Sequence, residues 1–188
     1  MKDDYFIHST AIISADSSIG KNTKIWHFCH IFGKSKIGEN CILGQNVMVG
    51  PNVSIGNRCK IQNNVSIYKG IVIDDDVFCG PSCVFTNVRT PRSFIDRKEE
   101  FSDTLVKKGT TLGANSTIIC GVTLGKYSMI GAGSVVTKDV KNYSLVLGNP
   151  AKHIGWVSRT GDRLNINLRC PRTGVKYIEK DGNLYEDK

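Results

Sequence analysis

A chain of 188 residues, 40% of them apolar, is long enough to form one domain with a buried core. Half of its net charge of +8 lies in residues 141–188, where nine Lys and Arg face five Asp and Glu; with no aromatic residues interleaved as a binding motif, this favours small anionic ligands over nucleic acid. The opening MKDDYFIHST has no apolar stretch and no later run approaches a membrane span, so a cytoplasmic protein without membrane insertion is expected.

From Ile7 every sixth position is aliphatic up to Ile73, and the series continues through Cys79 and Phe85. Glycine often follows the aliphatic, as at Gly20, Gly38 and Gly44, and a small or β-branched residue stands four places after it, as at Ala11, Thr23, Ser35 and Val47. This unit is too short for a helix pair and lacks the apolar spacing of a single helix. It suits an all-β, parallel β-helix of hexapeptide repeats: each unit is a short strand and a turn, the aliphatic points into a prism, and glycine supplies corner angles that a Cβ would oppose. Three units close one coil, and at roughly 4.8 Å per stacked strand the column is about 30 Å tall. Cys29, Cys41, Cys59 and Cys83 fall in the small slot and Cys79 in the aliphatic one. The seven cysteines, without a C-x-x-C, therefore read as reduced core residues.

Residues one coil apart lie over one another, which stacks His27, Gln45, Asn63 and Pro81 in one column and Phe28, Asn46, Asn64 and Ser82 beside it. Such an amide-rich wall is either a ladder whose side chains satisfy each other or a polar surface for a ligand. His27 and His30 do not share a face on this repeat and no third ligand accompanies them, so no metal is expected.

After Phe85 the rhythm fails, and it resumes at Val106 out of phase, so the segment 86–105 must leave the wall as a loop. Loops of this length in compact domains are usually functional or disordered, and the functional reading is preferred here to a plain solvated excursion. This one carries Pro91, Phe94, Phe101 and charges of both signs. The repeats then run from Val106 to Lys141, and the repeat domain is set at 1–157. In the extension, 158–188, VKYIEKDGNLYE reads as a hairpin turning at Asp181 and Gly182, an end cap or an inter-subunit contact. A single Cys170–Pro171 with no partner pair argues against a zinc ribbon.

The repeat, the loop and the later VVTKDVKNYSLVLGNPAKHIGW resemble the hexapeptide-repeat acyltransferases. The resemblance implies a left-handed β-helix, a homotrimer, and acetyl-CoA as co-substrate in the groove between subunits. WHFCHI, ILGQNVMVG, KIQNNVSIY, DDDVFCGPSCVFTNV and TLGANSTIICGVTLG are similar, more narrowly, to the UDP-2-acetamido-3-amino-2,3-dideoxyglucuronate N-acetyltransferases of bacterial surface polysaccharide (O-antigen) synthesis. The implied reaction is attack of a sugar amine on a thioester. The departing thiolate, whose thiol pKa is about 8.5, can take the proton, so a protein base is optional, in keeping with a loop entrance VFTNVRTPR that lacks histidine.

Within that resemblance Asn87 is the catalytic candidate, orienting amine or carbonyl, with Thr86 beside it. Arg89 or Arg92 would pair with the sugar carboxylate; the alternative for either is an exposed loop charge. His27, His30, Gln45, Gln62, Asn63, Asn64 and Tyr68 are the remaining acceptor-side candidates. Ala114, Ala132 and Gly133 would let pantetheine lie against the backbone, and Lys138 with Asn149, Pro150, Ala151 and Lys152 would meet the adenosine phosphates. Two other readings stay open: O-acetylation of a small acceptor, which would favour a histidine base near the thioester, and a non-catalytic β-helix scaffold, which would favour a flat threonine face without interruption.

Overall fold

The computed structural model describes residues 4–187 and is a left-handed parallel β-helix. Nearly every hexad is a strand of two residues followed by a turn, and the strands stack in three parallel sheets that form the faces of a triangular prism. The first face is led inward by Ile25, Leu43, Ile61 and Cys79, the second by Ile31, Val49, Ile67 and Phe85, and the third by Ile37, Ile55, Ile73 and Val106. Register between coils is the eighteen-residue step, as in the pairing of Lys60 with Phe78 and of Ser66 with Val84. Strand residues alternate in and out. The aliphatic points inward and is almost fully buried from Ile25 onward, while its partner faces outward.

Each place in the hexad has its own physical reason. The small slot is buried and often polar because its side chain satisfies a carbonyl in the neighbouring coil. Thr23 Oγ1 donates to the Gly38 carbonyl at 2.7 Å, Ser35 Oγ to Gly50 at 2.7 Å, and the thiols of Cys29, Cys41 and Cys59 to Gly44, Gly56 and Asp74 at 3.0–3.1 Å. Cysteine here is a compact hydrophobe with a weak donor, and all seven cysteines are buried and unpaired. The place three residues after the aliphatic takes the left-handed backbone angle, at Asn22, Phe28, Lys34, Asn40, Asn46, Asn52, Arg58 and Asn64, so asparagine, the non-glycine residue most tolerant of that angle, recurs there.

This corrects the expected role of glycine. Gly20, Gly38, Gly44 and Gly56, one place after the aliphatic, are not left-handed. They are needed for room: a Cβ on Gly38 would stand 2.6 Å from the carbonyl carbon of Gly56, and one on Gly20 2.5 Å from that of Gly38.

The excursion spans residues 86–103, because the strand Thr104–Val106 already pairs with Ile71–Ile73; Leu105 belongs to the wall, and the loop is two residues shorter than expected. Two threonine hydroxyls repair the ladder where the chain leaves and returns. Thr86 Oγ1 accepts from the Cys120 N–H at 2.9 Å and Thr104 Oγ1 from that of Gly121 at 3.2 Å. At the top, Ser144–Leu147 adds to the first face and turns back antiparallel into Lys152–Trp156. The extension then forms a second small core of Trp156, Cys170, Tyr177 and Leu184, against which Tyr143 packs. Its hairpin, Tyr177–Lys180 with Asn183–Glu186, turns at Asp181 and Gly182, both left-handed as a two-residue turn of this type requires.

Candidate functional site

At the corner between the first and second faces, Trp26, His27, Ile42, Gly44, Gln45, Gln62 and Asn63 line a cavity of about 350 Å³. The His27 ring lies nearly parallel to Trp26, with centroids 6.1 Å apart at 9°, and 3.6 Å from the His8 ring. The amides above divide in role. Asn63 Oδ1 accepts from the Gln45 backbone N–H at 2.9 Å, and Asn46 Nδ2 donates to Asn64 Oδ1 at 3.1 Å. The same device recurs away from this corner, where Asn57 Oδ1 takes the Glu39 N–H at 2.8 Å. The ladder reading therefore accounts for Asn64 and for the oxygen of Asn63. Gln45 and Gln62 are different: among the described residues neither side chain has a hydrogen-bond partner, and both border the cavity.

Higher on the same corner stand Pro81, Ala114 and Ala132. Gly80, just before Pro81, has no room for a side chain, since a Cβ there would meet the Ala114 nitrogen at 2.6 Å. Gly133 is left-handed and opens on free space. Over them passes Gly148–Lys152, tied down by the Val135 N–H to the Gly148 carbonyl and the Ala151 N–H to the Val135 carbonyl. The corner thus presents a column of small residues, with Pro81, Ala132 and Gly133 exposed and Ala114 half-buried, and Asn149 and Pro150 are exposed in the segment that follows. Lys138 lies on the next corner instead, and lines a separate cavity of about 350 Å³ with Ala151 and His153.

That next corner, between the second and third faces, carries Tyr68, Thr86 and the loop. The loop is pinched at its neck by the Ser102 N–H donating to the Asn87 carbonyl at 3.0 Å. The Asn87 side chain is half-buried and, among the described residues, unpartnered. Arg89 lies over Gly121, its guanidinium about 3.0 Å from where a Cβ would sit. Arg92 donates to the carbonyl of Pro91 at 3.1 Å and is exposed. Arg97 pairs with Glu100 at 2.6 Å, and Lys69 reaches 5.9 Å from the Phe101 ring centroid, holding the loop to the wall. The loop also borders an open groove of about 480 Å³ between Pro91, Phe94, Ile95 and Phe101.

Between these corners runs the outward file of the second face, His30, Met48, Ser66 and Val84 in register. His30 stacks on Phe32 with centroids 4.0 Å apart and stands three rungs, about 14 Å, below Val84. The anticipated residues therefore gather at two edges of one face: His27, Gln45, Gln62, Asn63, Asn64, Ala114, Ala132 and Gly133 at one, and Tyr68, Thr86, Asn87, Arg89 and Arg92 at the other. Trp26 escaped the sequence reading. Its signal was an aromatic in the place after an inward aliphatic, where glycine usually stands. Among the described residues no three His, Cys, Asp or Glu side chains are placed to hold a metal ion.

The family described as bacterial transferase hexapeptide (six repeats) matches residues 34–69 and 103–138, on both sides of the loop. The dTDP-3-amino-3,6-dideoxy-alpha-D-galactopyranose 3-N-acetyltransferase of Aneurinibacillus thermoaerophilus is 42% identical over 179 residues, covering 94% of this chain and 92% of its own length. A hexapeptide-repeat acetyltransferase of Vibrio cholerae O1 biovar eltor, solved with acetyl coenzyme A, superposes with a TM-score of 0.58 at 27% identity over 65% of this chain and 70% of its own. A galactoside acetyltransferase solved with coenzyme A gives 0.59 at 25% identity, over 71% and 68%. The chain belongs to the hexapeptide-repeat acyltransferases. Within them, its match over nearly its whole length is to a sugar-nucleotide N-acetyltransferase.

Proposed function

We propose that this protein transfers the acetyl group of acetyl-CoA to the 3-amino group of a sugar carried on a nucleoside diphosphate. The observation that carries this reading is the 42% identity, over 94% of this chain and 92% of the relative, with an enzyme named for 3-N-acetylation of such a sugar. The corner along Ala114, Ala132 and Gly133 suits an extended pantetheine, with Asn149, Pro150, Ala151 and Lys152 over its end and Lys152 as a cation for the adenosine phosphates; Lys138, on the other corner, would serve them from a neighbouring protomer. Asn87 directs its free amide to the amine or thioester carbonyl. The thiolate released from coenzyme A takes the proton, so the amine nitrogen gains the acetyl carbon as the carbon–sulfur bond breaks, without a protein base.

Within one chain Asn87 and Ala132 stand at opposite edges of the second face. A homotrimer in which the loop edge of one protomer meets the small-residue corner of its neighbour brings them together. Gln45, Gln62 and the Trp26–His27 pair are then free for the nucleotide end of the acceptor.

For the acceptor itself, the sequence resemblance favours UDP-2-acetamido-3-amino-2,3-dideoxyglucuronate, with Arg89 or Arg92 on its carboxylate. The Aneurinibacillus relative favours a second reading, a dTDP-linked 3-amino-3,6-dideoxyhexose without a carboxylate. Thiol release from acetyl-CoA, measured with the UDP-linked acid, its neutral analogue, the dTDP-linked sugar and the matching 3-hydroxy sugars, decides between them. Amine-dependent release is expected, and Asn87→Ala should lower turnover by roughly 10- to 1000-fold, as losses of orienting or oxyanion contacts do. Release with the hydroxyl sugars alone would make the enzyme an O-acetyltransferase. No release with any acceptor would leave a scaffold.

A further inference from the structure

The extension contains two turns built alike. Ser158-Arg159-Thr160-Gly161 ends in a left-handed glycine whose N–H donates to the Ser158 carbonyl at 3.0 Å, and the Ser158 N–H donates to the carbonyl just past that glycine, of Asp162, at 2.9 Å. In Cys170-Pro171-Arg172-Thr173-Gly174, the left-handed Gly174 N–H donates to the Cys170 carbonyl at 2.9 Å, and the Cys170 N–H to the carbonyl just past that glycine, of Val175, at 2.9 Å. Each turn is the tip of a tiny hairpin, bridged at Val157 with Arg163 and at Arg169 with Lys176.

The tips face each other. Ser158 Oγ and Thr160 Oγ1 are 2.8 Å apart, Thr160 Oγ1 is 3.4 Å from Cys170 Sγ, and Arg172 grips Asp162 across the gap with two hydrogen bonds of 2.8 and 3.1 Å. Ser158 and Cys170 are 2% and 1% exposed. The polar side chains around the sulfur, Ser158 first and then Thr160 and Thr173, pull the Cys170 thiol down to about 6; Thr160 Oγ1 also donates to Asp162 Oδ2 at 2.8 Å, and both threonines are exposed at the rim of the cluster.

Paired turns that each aim two side chains at a common centre are how small caps hold tetrahedral zinc, with cysteines in all four places. Here the donors are three hydroxyls and one thiol, a poor set for that ion. One spacing is also too tight: oxygen ligands about 2.1 Å from zinc stand roughly 3.4 Å apart in a tetrahedron, whereas Ser158 Oγ and Thr160 Oγ1 are 2.8 Å apart. We propose that the cap is a metal-knuckle pair that folds without metal, in which Ser158, Thr160, Cys170 and Thr173 fill the four ligand places. The hydroxyl–thiol cluster and the Arg172–Asp162 pair provide the cross-link that an ion would otherwise supply. The backbone keeps the geometry of a zinc site, and the side chains alone decide that it takes none.

The test is to restore thiolates at the three hydroxyl places. The Ser158→Cys/Thr160→Cys/Thr173→Cys variant, purified from zinc-supplemented medium, is expected to hold one zinc per chain. With cobalt(II) it should show the absorption of a tetrahedral thiolate site, and a chelator should lower its melting temperature. The wild-type protein should carry sub-stoichiometric zinc and melt unchanged with chelator. If the triple variant does not fold, Thr160→Cys/Thr173→Cys with three thiols is expected to give the same cobalt spectrum at weaker affinity. Stoichiometric zinc in the wild type, or a folded variant that takes no metal, overturns the proposal.

Discussion

The surroundings of His153 move its titration downward. Desolvation against the wall lowers its pKa, Lys141 adds to that effect, and Glu179 opposes it. Its Nδ1 sits 2.6 Å from Ser144 Oγ, and its ring packs edge-on to Trp156. The folded protein therefore keeps this imidazole neutral at a pH where the unfolded chain, with an ordinary value of about 6.5, is already taking up a proton. The stability tied to His153 is intact above about pH 6.5 and declines as the pH falls through the lowered value in the fold. Thermal midpoints measured from pH 8 to 5 should fall more steeply in the wild type than in His153→Gln. Parallel curves would show that the ring packs without titrating.

At the scale of the element, the loop is an insertion into a ladder that closes beneath it. Phe85 pairs with Ile118 and Ile73 with Val106 as though nothing intervened, and Thr86 and Thr104 supply the acceptors that the missing turn would have provided. Replacing residues 88–101 by a short turn, with both threonines retained, should leave the β-sheet circular dichroism and coenzyme A binding intact and abolish acetyl transfer. Arg92→Ala should weaken a uronic acid acceptor by roughly 10- to 100-fold, the worth of a charged hydrogen bond, and spare its neutral analogue. Acetyl transfer by the shortened protein would remove the loop from the site.

The wall and the break in it were legible in the sequence because the inward aliphatics carry a strict period and because a phase shift can only be spent outside the coil. The role of glycine was not, since close approach between coils is a property of two chain segments eighteen residues apart and leaves no mark within one hexad. The division of the asparagines was hidden for the same reason. Asn63 and Gln62 are neighbours of like chemistry, and only the stacked geometry shows that one oxygen is spent on the Gln45 backbone while the Gln62 amide stays available. The cap kept its secret longest, because Ser158, Thr160 and Thr173 have unremarkable identities until the fold brings them to Cys170.

For the molecule as a whole, the two ends of the prism differ. The C-terminal end is covered by Ser144–Trp156 and by the second core around Trp156 and Tyr177. At the other end Ile7, Ile13 and Ile19 are only partly buried and Ile12 is 63% exposed, against near-complete burial from Ile25 onward. Every coil bonds only to the coils directly above and below it, so the prism behaves as a one-dimensional row of nearest-neighbour couplings. Such a row frays from its weaker terminus. Amide hydrogen exchange should quicken progressively toward the first coil, with Ile13 and Ile19 exchanging before Ile31 and Ile37, and Ile130 and Val146 slowest of all. Uniform protection along the axis would mean the whole prism opens at once. If the gradient holds, Trp26 and His27 stand one coil in from the loosest end and reach it through the Phe6–Trp26 and His8–His27 ring contacts, so a ligand settling on them, as proposed for the nucleotide end of the acceptor, would act as a clamp, and its occupancy and the integrity of the first coil would rise and fall together.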